Sequence, residues 1–433
     1  MREETLARDP VPAGTPVTAS PDVRGTRCRF CGEPLAVTFV DLGMSPLCES
    51  YVRREDLGAM ERFYPLHTFV CTRCYLVQLE EFVSPGEIFS EYAYFSSYAE
   101  SWVAHMKEYA GKITERLGLN ADSLVVEVAS NDGYLLQHFD ALGIPVLGIE
   151  PAGNIAEVAV ARGIPTLVEF FGARVAERLA AEGKSADLIA GANVLAQVPD
   201  VNDFVSGLRK LLKPRGVVTI EFPHLERLIE GNQFDTIYHE HFSYFSFITA
   251  ERIFAAHGLT IFDVDELSTH GGSLRIYARA SEDTTHAVRP SVPDLRERER
   301  RDGCETLAYY ASFAERVRET KRKLLAFLID AKRRGKTIAG YGAPGKGNTL
   351  LNYCGVRTDF VDYTVDRNPY KQGKYLPGTH IPIHDPSHIR ETRPDYLLIL
   401  PWNFREEIMR QNAYIREWGG QFVVPIPEVT TFA

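Results

Sequence analysis

The chain has 433 residues, with 48 Lys and Arg against 58 Asp and Glu, a net charge of −10 with histidine neutral. That length predicts about three domains, and the apolar share of 45% and charged share of 24% exclude disorder over the whole chain. The acidic balance argues against a dedicated nucleic-acid binder, which needs basic surface to displace phosphate counterions, and the absence of any apolar run near the ~20 residues of a bilayer span argues against a membrane partner.

Residues 1–24 are rich in Pro, Ala and Thr, with acidic residues early and no apolar centre. They read as a disordered tail and not a secretory signal, which predicts a cytoplasmic address and reduced thiols. Residues 25–105 hold two tight cysteine pairs, Cys28/Cys31 and Cys71/Cys74. A two-residue spacer lets both thiolates of a pair face one tetrahedral ion. One pair alone would fit a redox dithiol or core cysteines equally well. Two pairs in a reduced compartment point to Zn(2+), and four sulfurs leave no open position for water, so the ion is expected to be structural. Cys48, Cys304 and Cys354 are isolated in the sequence.

Residues 106–290 alternate short apolar strands with amphipathic helices, the pattern of a parallel sheet covered on both faces. The strands read as LVVEVA (124–129), PVLGIE (145–150), PTLVEF (165–170), ADLIAGA (186–192) and GVVTIEF (216–222). The first runs into a small-residue turn, Glu127-Val-Ala129-Ser130-Asn131-Asp132-Gly133, where a ligand can approach the backbone closely. The second ends in Glu150, placed to accept ribose hydroxyls. The fourth is followed by Asn193-Val-Leu195-Ala-Gln197. GxGxxG is absent here, but these pieces in this order resemble the class I methyltransferases that use S-adenosylmethionine. The resemblance implies the turn at the methionine part, Glu150 at the ribose, and the Asn193–Gln197 stretch at the adenine or methyl side.

After the fifth strand, Tyr238, His239, Glu240 and His241 are consecutive and surrounded by Phe242, Tyr244 and Phe245. Aromatic neighbours exclude water, and desolvation keeps an imidazole neutral, the form that accepts a proton. A lone histidine would read as a packed core residue, whereas this cluster beyond the sheet's C-terminal end reads as chemistry. His239-Glu240-His241 lacks the helical spacing of an H-E-x-x-H zinc site.

Residues 291–334 are highly charged with apolar residues at helical spacing, which predicts one long solvated helix joining two domains. A second, smaller parallel-sheet unit follows, through TIAGYGA (337–343), FVDYTVD (360–366), YLLILP (396–401) and QFVVPIP (421–427). Gly340-Tyr341-Gly342-Ala-Pro-Gly345 matches G-x-G-x-x-G between a strand and a helix, with Asp366 ending the next strand. Alone this suggests a nicotinamide cofactor. Pro344 and the following Lys346-Gly-Asn348 fit that fingerprint poorly, and a lysine near a helix N-terminus suits a diphosphate equally well.

The cysteine pairs, EVASNDG, ANVLA, YHEHFSYF and GGSLR, ending at Arg275, together resemble the sugar-nucleotide C-methyltransferases of bacterial deoxysugar pathways, over nearly the whole chain beyond the tail. The resemblance implies an α/β chain with an N-terminal zinc-binding module (25–105), a central class I methyltransferase Rossmann-like domain (106–290), and a linker helix with a smaller C-terminal Rossmann-like domain (291–433). It implies S-adenosylmethionine and zinc as cofactors, and methylation of carbon 3 of a dTDP-linked 4-keto-6-deoxy sugar. Carried over, His241 is the base, with Tyr238, Glu240 and His239 around it. Tyr92, Glu127, Ala129, Ser130, Asn131, Asp132, Gly133, Glu150, Asn193, Leu195 and Gln197 face the cofactor. Tyr94, Ser96, Arg275, Tyr341, Lys346 and Asn348 face the sugar nucleotide. One residue departs from the family: a histidine usually follows Asn-x-Leu-Ala, where this chain has Gln197, which hydrogen-bonds but does not exchange a proton near neutral pH. A nicotinamide-dependent sugar-nucleotide oxidoreductase using Gly340–Gly345 and a catalytically impaired binding protein of the same fold are the alternatives.

Overall fold

The computed structural model describes residues 26–89 and 95–433. The expected tail, Tyr92 and Tyr94 lie outside the described residues. In chain order the strands are β1 (Val37–Ser45), β2 (Tyr64–Val70), β3 (Val77–Leu79), β4 (Val125–Val128), β5 (Val146–Ile149), β6 (Thr166–Leu167), β7 (Ala186–Ala192), β8 (Leu212–Pro223), β9 (Ser243–Tyr244), β10 (Leu259–Leu267) and β11 (Ser273–Ala280). The C-terminal unit adds β12 (Ile338–Tyr341), β13 (Tyr363–Val365), β14 (Ile383–His384), β15 (Tyr396–Ile399), β16 (Gln421–Val424) and β17 (Thr430–Phe432).

These strands form three sheets, ordered β1-β2-β3-β9, β10-β11-β8-β7-β4-β5-β6 and β14-β13-β12-β15-β16-β17. The first is antiparallel throughout. In the second, β4 to β8 are parallel and β11 returns antiparallel to β8. In the third, only the edge strand β17 is antiparallel. Every residue of β4, β12 and β15 is buried. This is why those segments carry continuous apolar runs: helices cover both faces of a parallel sheet.

The chain reverses its order of addition at β4, which has β5 on one side and β7 on the other, and again at β12, between β13 and β15. Such switch points open a crevice at the strands' C-terminal ends. The helix Glu100–Leu117 spans the expected boundary at 105, and its buried side chains, Trp102, Met106, Tyr109 and Ile113, pack under the central sheet. The zinc-module sheet is joined on its other side to the C-terminal unit, where Phe39 stacks on Phe313 at 4.5 Å.

The charged stretch is not one solvated helix. It forms three, Ser291–Asp302, Leu307–Ala311 and Phe313–Arg333. The first ends at Gly303 in the left-handed region (φ 97°), and the last buries Phe313, Val317, Leu324 and Leu328 completely. Glu299, wholly buried, explains why the first is anchored. Its carboxylate accepts the amides of Phe247 at 2.6 Å and Ile248 at 2.8 Å, at the start of the helix Phe247–Ala256, where the helix dipole favours a negative charge.

Candidate active site

The four paired cysteines converge. Their sulfurs all lie within 4.8 Å of one another, with Cys28 to Cys74 and Cys31 to Cys71 at 3.5 Å each. Gln78 Nε2 donates to Cys28 Sγ at 3.2 Å, and the amides of Arg73 and Cys74 point at Cys71 Sγ. Amide support of this kind stabilises thiolates, and four soft sulfurs at this spacing fit one closed tetrahedral zinc site. The knuckle does more than hold its own loop. Three residues beyond Cys74, β3 begins, and it pairs Val77 with Tyr244 and Gln78 with Ser243. The zinc module therefore grips a strand inside the histidine-aromatic segment, two residues beyond His241.

Both switch-point crevices open into one cavity of about 510 Å³. The central sheet supplies Ala129, Asn131, Glu150, Asn193 and Gln197, and the C-terminal sheet supplies Gly342, Gly345, Lys346, Asp366 and Asn403. Ala129, Asn131 and Asn193 adopt φ of 57°, 49° and 58°, uncommon for residues with a side chain and typical of functional turns. Glu150 Oε2 accepts Asn131 N and Oε1 accepts Ala152 N, both at 2.9 Å, so the carboxylate is fixed against the turn. Ser96 N donates to Asn131 Oδ1 at 2.9 Å, which brings the segment after residue 94 over the same turn.

The third wall is the histidine-aromatic segment. His241 is 8% exposed and lines the cavity. Its Nδ1 lies 2.9 Å from the Thr236 carbonyl oxygen. A carbonyl only accepts, so Nδ1 carries the proton and Nε2 keeps its lone pair. Burial pushes the pKa of this imidazole down to about 4, with the Thr236 carbonyl opposing and His270 and Lys346 adding to the shift. Tyr238 packs on the ring at 4.1 Å between centroids. Glu240 also lines the cavity and takes the Cys48 thiol at 3.4 Å.

Chain comparisons agree with this architecture. Family models described as a zinc binding domain, a methyltransferase domain and a C-methyltransferase C-terminal domain match residues 28–89, 102–264 and 268–427. C-methyltransferase NovU of Streptomyces niveus is 40% identical over 404 residues, 93% of this chain and 95% of that protein. The chain is an S-adenosylmethionine-dependent C-methyltransferase. A ubiquinone biosynthesis O-methyltransferase of Bartonella bacilliformis matches at 31% over 97 residues, 22% of this chain and 39% of that one. The PH0226 protein of Pyrococcus horikoshii OT3 aligns with a TM-score of 0.36 at 13% identity, covering 46% of this methyltransferase and 99% of that chain.

The methyltransferase brings ten of its sequence-derived candidates to the cavity: Ser96, Ala129, Asn131, Glu150, Asn193, Gln197, Tyr238, Glu240, His241 and Lys346. Others stand elsewhere. His239 turns away, its Nε2 donating to the Pro65 carbonyl at 3.2 Å beside Tyr64. Arg275 is spent inside the protein, paired with Glu221 at 2.5 Å and lying over the Tyr109 ring at 4.2 Å. Asn348 donates to the Cys48 carbonyl at 2.5 Å, and Tyr341 is buried in the C-terminal core. Ser130, Asp132, Gly133 and Leu195 shape the turns from behind. Asp132 binds Ser97 and Arg162, and Gly133 (φ 79°) faces Ile164, where a Cβ would come within 3.1 Å. Glu127 is fully buried below the turn, and burial lifts its carboxyl well above the usual range despite the pull of Tyr134.

Sequence reading missed His270, Trp102 and Cys48. His270 precedes Gly271-Gly272 in the β10–β11 hairpin, and its signal was that placement at the sheet's C-terminal edge. Cys48 carried no signal, because its partner is remote in sequence.

Proposed function

We propose that the enzyme methylates carbon 3 of a dTDP-linked 4-keto-6-deoxy sugar by base-catalysed enolate formation. The observation that carries this reading is the bare Nε2 of His241, a buried, neutral imidazole facing the cavity between the two sheets. A hydrogen beside a ketone is acidic because the carbonyl accepts the electron pair. His241 takes that proton on Nε2, the C–H pair becomes the enolate double bond, and negative charge settles on the ketone oxygen. Tyr238 packs the base in place and Glu240 lies beside it. S-adenosylmethionine, when bound, supplies an electrophilic methyl group that the enolate carbon takes, leaving a neutral thioether. Asn131, Glu150, Asn193 and Gln197 hold that cofactor in this reading, with Glu150 toward the ribose. Lys346 and Arg367 bring positive charge to the opposite wall, where Lys371 is already paired with Glu49 at 3.4 Å, and that charge suits a diphosphate.

The nicotinamide alternative for the Gly340–Gly345 loop loses support because that loop lies within the stretch, residues 268–427, matched by the C-methyltransferase C-terminal domain. Mass spectrometry of products from a panel of 4-keto sugar nucleotides tests the substrate. A mass gain of one methyl on a dTDP-4-keto-6-deoxyhexose is expected, and methylation confined to substrates without a sugar ketone overturns the proposal. Titration with S-adenosylhomocysteine and with NAD separates the cofactors, with binding of the first alone expected.

A further inference from the structure

The base has an answering group across the cavity. His270 lines it, and Asn193 Nδ2 donates to its Nε2 at 3.0 Å. With Nε2 accepting, a neutral ring carries its proton on Nδ1, and among the described residues no acceptor meets that N–H. The ring is held by design of the loop. His270, Gly271 and Gly272 have φ of 54°, 91° and 123° in succession. A Cβ on Gly271 would stand 2.6 Å from the Trp402 ring, and one on Gly272 would stand 2.7 Å from Arg227. The neighbouring Thr269 hydroxyl donates to Glu221 at 2.8 Å, and Trp102 meets the imidazole edge-on at 5.1 Å. Glycine adopts positive φ freely, so the strain in this turn sits on His270, held in the left-handed region at φ 54°, and such strain persists where the geometry is used.

We propose that His270 is a second catalytic residue, donating Nδ1–H to the ketone oxygen as it becomes the enolate oxygen, while His241 removes the proton from carbon. This rests on the enolate reading above. The proton lost from carbon goes to His241 Nε2. His270 keeps its own proton throughout and only hydrogen-bonds. Burial, aided by the Lys346 charge, pulls the His270 pKa down to about 4, so near neutral pH the ring is an uncharged donor and not an acid. A neutral imidazole preorganised toward a developing oxyanion needs no reorganisation at the moment of reaction.

Two measurements on the full-length, zinc-loaded enzyme test this. In ¹⁵N-histidine NMR at pH 7, the resonances that vanish in His270→Gln belong to this ring. A neutral Nδ1–H tautomer is expected, and an Nε2–H tautomer or a charged ring overturns the proposal. In D₂O, dTDP-4-keto-6-deoxyglucose reports exchange of the carbon-3 hydrogen without methyl transfer. His270→Phe, which keeps a ring but no donor, is expected to slow exchange roughly 100-fold. His270→Gln, which keeps an N–H, is expected to recover part of that loss, with S-adenosylhomocysteine affinity within about twofold of wild type in both. Wild-type exchange in His270→Phe overturns the role of His270 alone. No exchange in the wild-type enzyme overturns the enolate reading and this role with it.

Discussion

The thiol of Cys48 donates to Glu240 Oε1 at 3.4 Å across 192 positions of sequence, and the same residue's carbonyl accepts Asn348 Nδ2 at 2.5 Å. One residue of the zinc module thus ties the segment bearing His241 to the C-terminal unit. Burial, reinforced by Glu240 and Glu49, holds the Cys48 thiol well above its usual pKa, so it remains an S–H donor. An S–H group is a weak donor, and such a bond contributes about 0.5–1 kcal/mol. Cys48→Ala is therefore expected to lower kcat roughly twofold to fivefold, with zinc content and S-adenosylhomocysteine affinity unchanged. Cys48→Ser, which keeps a donor, is expected to retain most of the rate. Steady-state kinetics on the two variants decide it, and equal kcat in Cys48→Ala and wild type removes the link.

Acid sensitivity follows from the two buried imidazoles. His241 and His270 are both held at about 4 in the folded enzyme, from an ordinary value of 6.5. Proton abstraction should therefore hold its rate as pH falls from 7 to 5 and halve near pH 4, in contrast to a limb near 6.5 for a solvated histidine. Stability runs the other way. The unfolded chain binds protons at these rings from pH 6.5 downward and the folded chain does not, so folding weakens as pH drops between 6.5 and 4. At about 1.4 kcal/mol per pKa unit, the loss by pH 4 is roughly 3 kcal/mol for each ring. Initial rates of carbon-3 exchange and thermal melts across pH 4–8 check both limbs, and an exchange rate halved at pH 6.5 contradicts the desolvated base.

Strand identity and the zinc ligands were legible because each is a local signal. Continuous apolar runs mark doubly covered strands, and C-x-x-C brings two sulfurs together within one turn. The charged segment after residue 290 misled because charge density alone cannot show which stripe is covered. Phe313, Val317, Leu324 and Leu328 are buried, but helical spacing is the same whether a helix bridges solvent or packs on a neighbour. At the site, a consecutive Tyr-His-Glu-His suggested four groups acting together. Side chains of adjacent residues in an irregular segment diverge, so His241 faces the cavity while His239 faces Pro65. Arg275 was misplaced for a different reason. A buried cation seeks the nearest carboxylate, and Glu221, its register partner on β8, supplies one.

Zinc is expected to govern activity at a distance from the cavity. β9 pairs with β3 just after the zinc knuckle, and His241 stands two residues before β9. One zinc per chain should appear by elemental analysis. Removing it with a strong chelator, or by Cys71→Ser, should free β9 and cost most of the exchange activity, while leaving the S-adenosylhomocysteine cradle of the central sheet able to bind within a few-fold. Full activity in metal-free enzyme contradicts this coupling, and complete loss of cofactor binding would show that the whole fold, rather than β9, depends on the ion.

Gly271 joins the two sheets' contributions at one atom. Its φ of 91° and the 2.6 Å approach of a Cβ to Trp402 are two separate costs of adding a methyl group, one in the backbone and one in packing. Backbone strain of this kind costs about 1–3 kcal/mol, and overpacking a similar amount. Gly271→Ala is expected to destabilise the enzyme by roughly 2–6 kcal/mol on that basis. Because the contact atom lies on the distal edge of the indole, Trp402→Phe removes that contact, leaving Gln233 Nε2 at 2.8 Å and Oε1 at 2.9 Å against the same Cβ, and it also removes the hydrogen bond from Trp402 Nε1 to Asp235 at 2.7 Å. In the double variant the Trp402 part of the packing cost disappears while the Gln233 part and the backbone cost stay, so the two losses should sum to more than the double variant shows, by about 0.5–1 kcal/mol. Denaturant midpoints for the four proteins of this cycle give the coupling directly. Strict additivity would mean that the hairpin shifts away from Trp402 as a unit, and His270 would then be held by β10 and β11 alone.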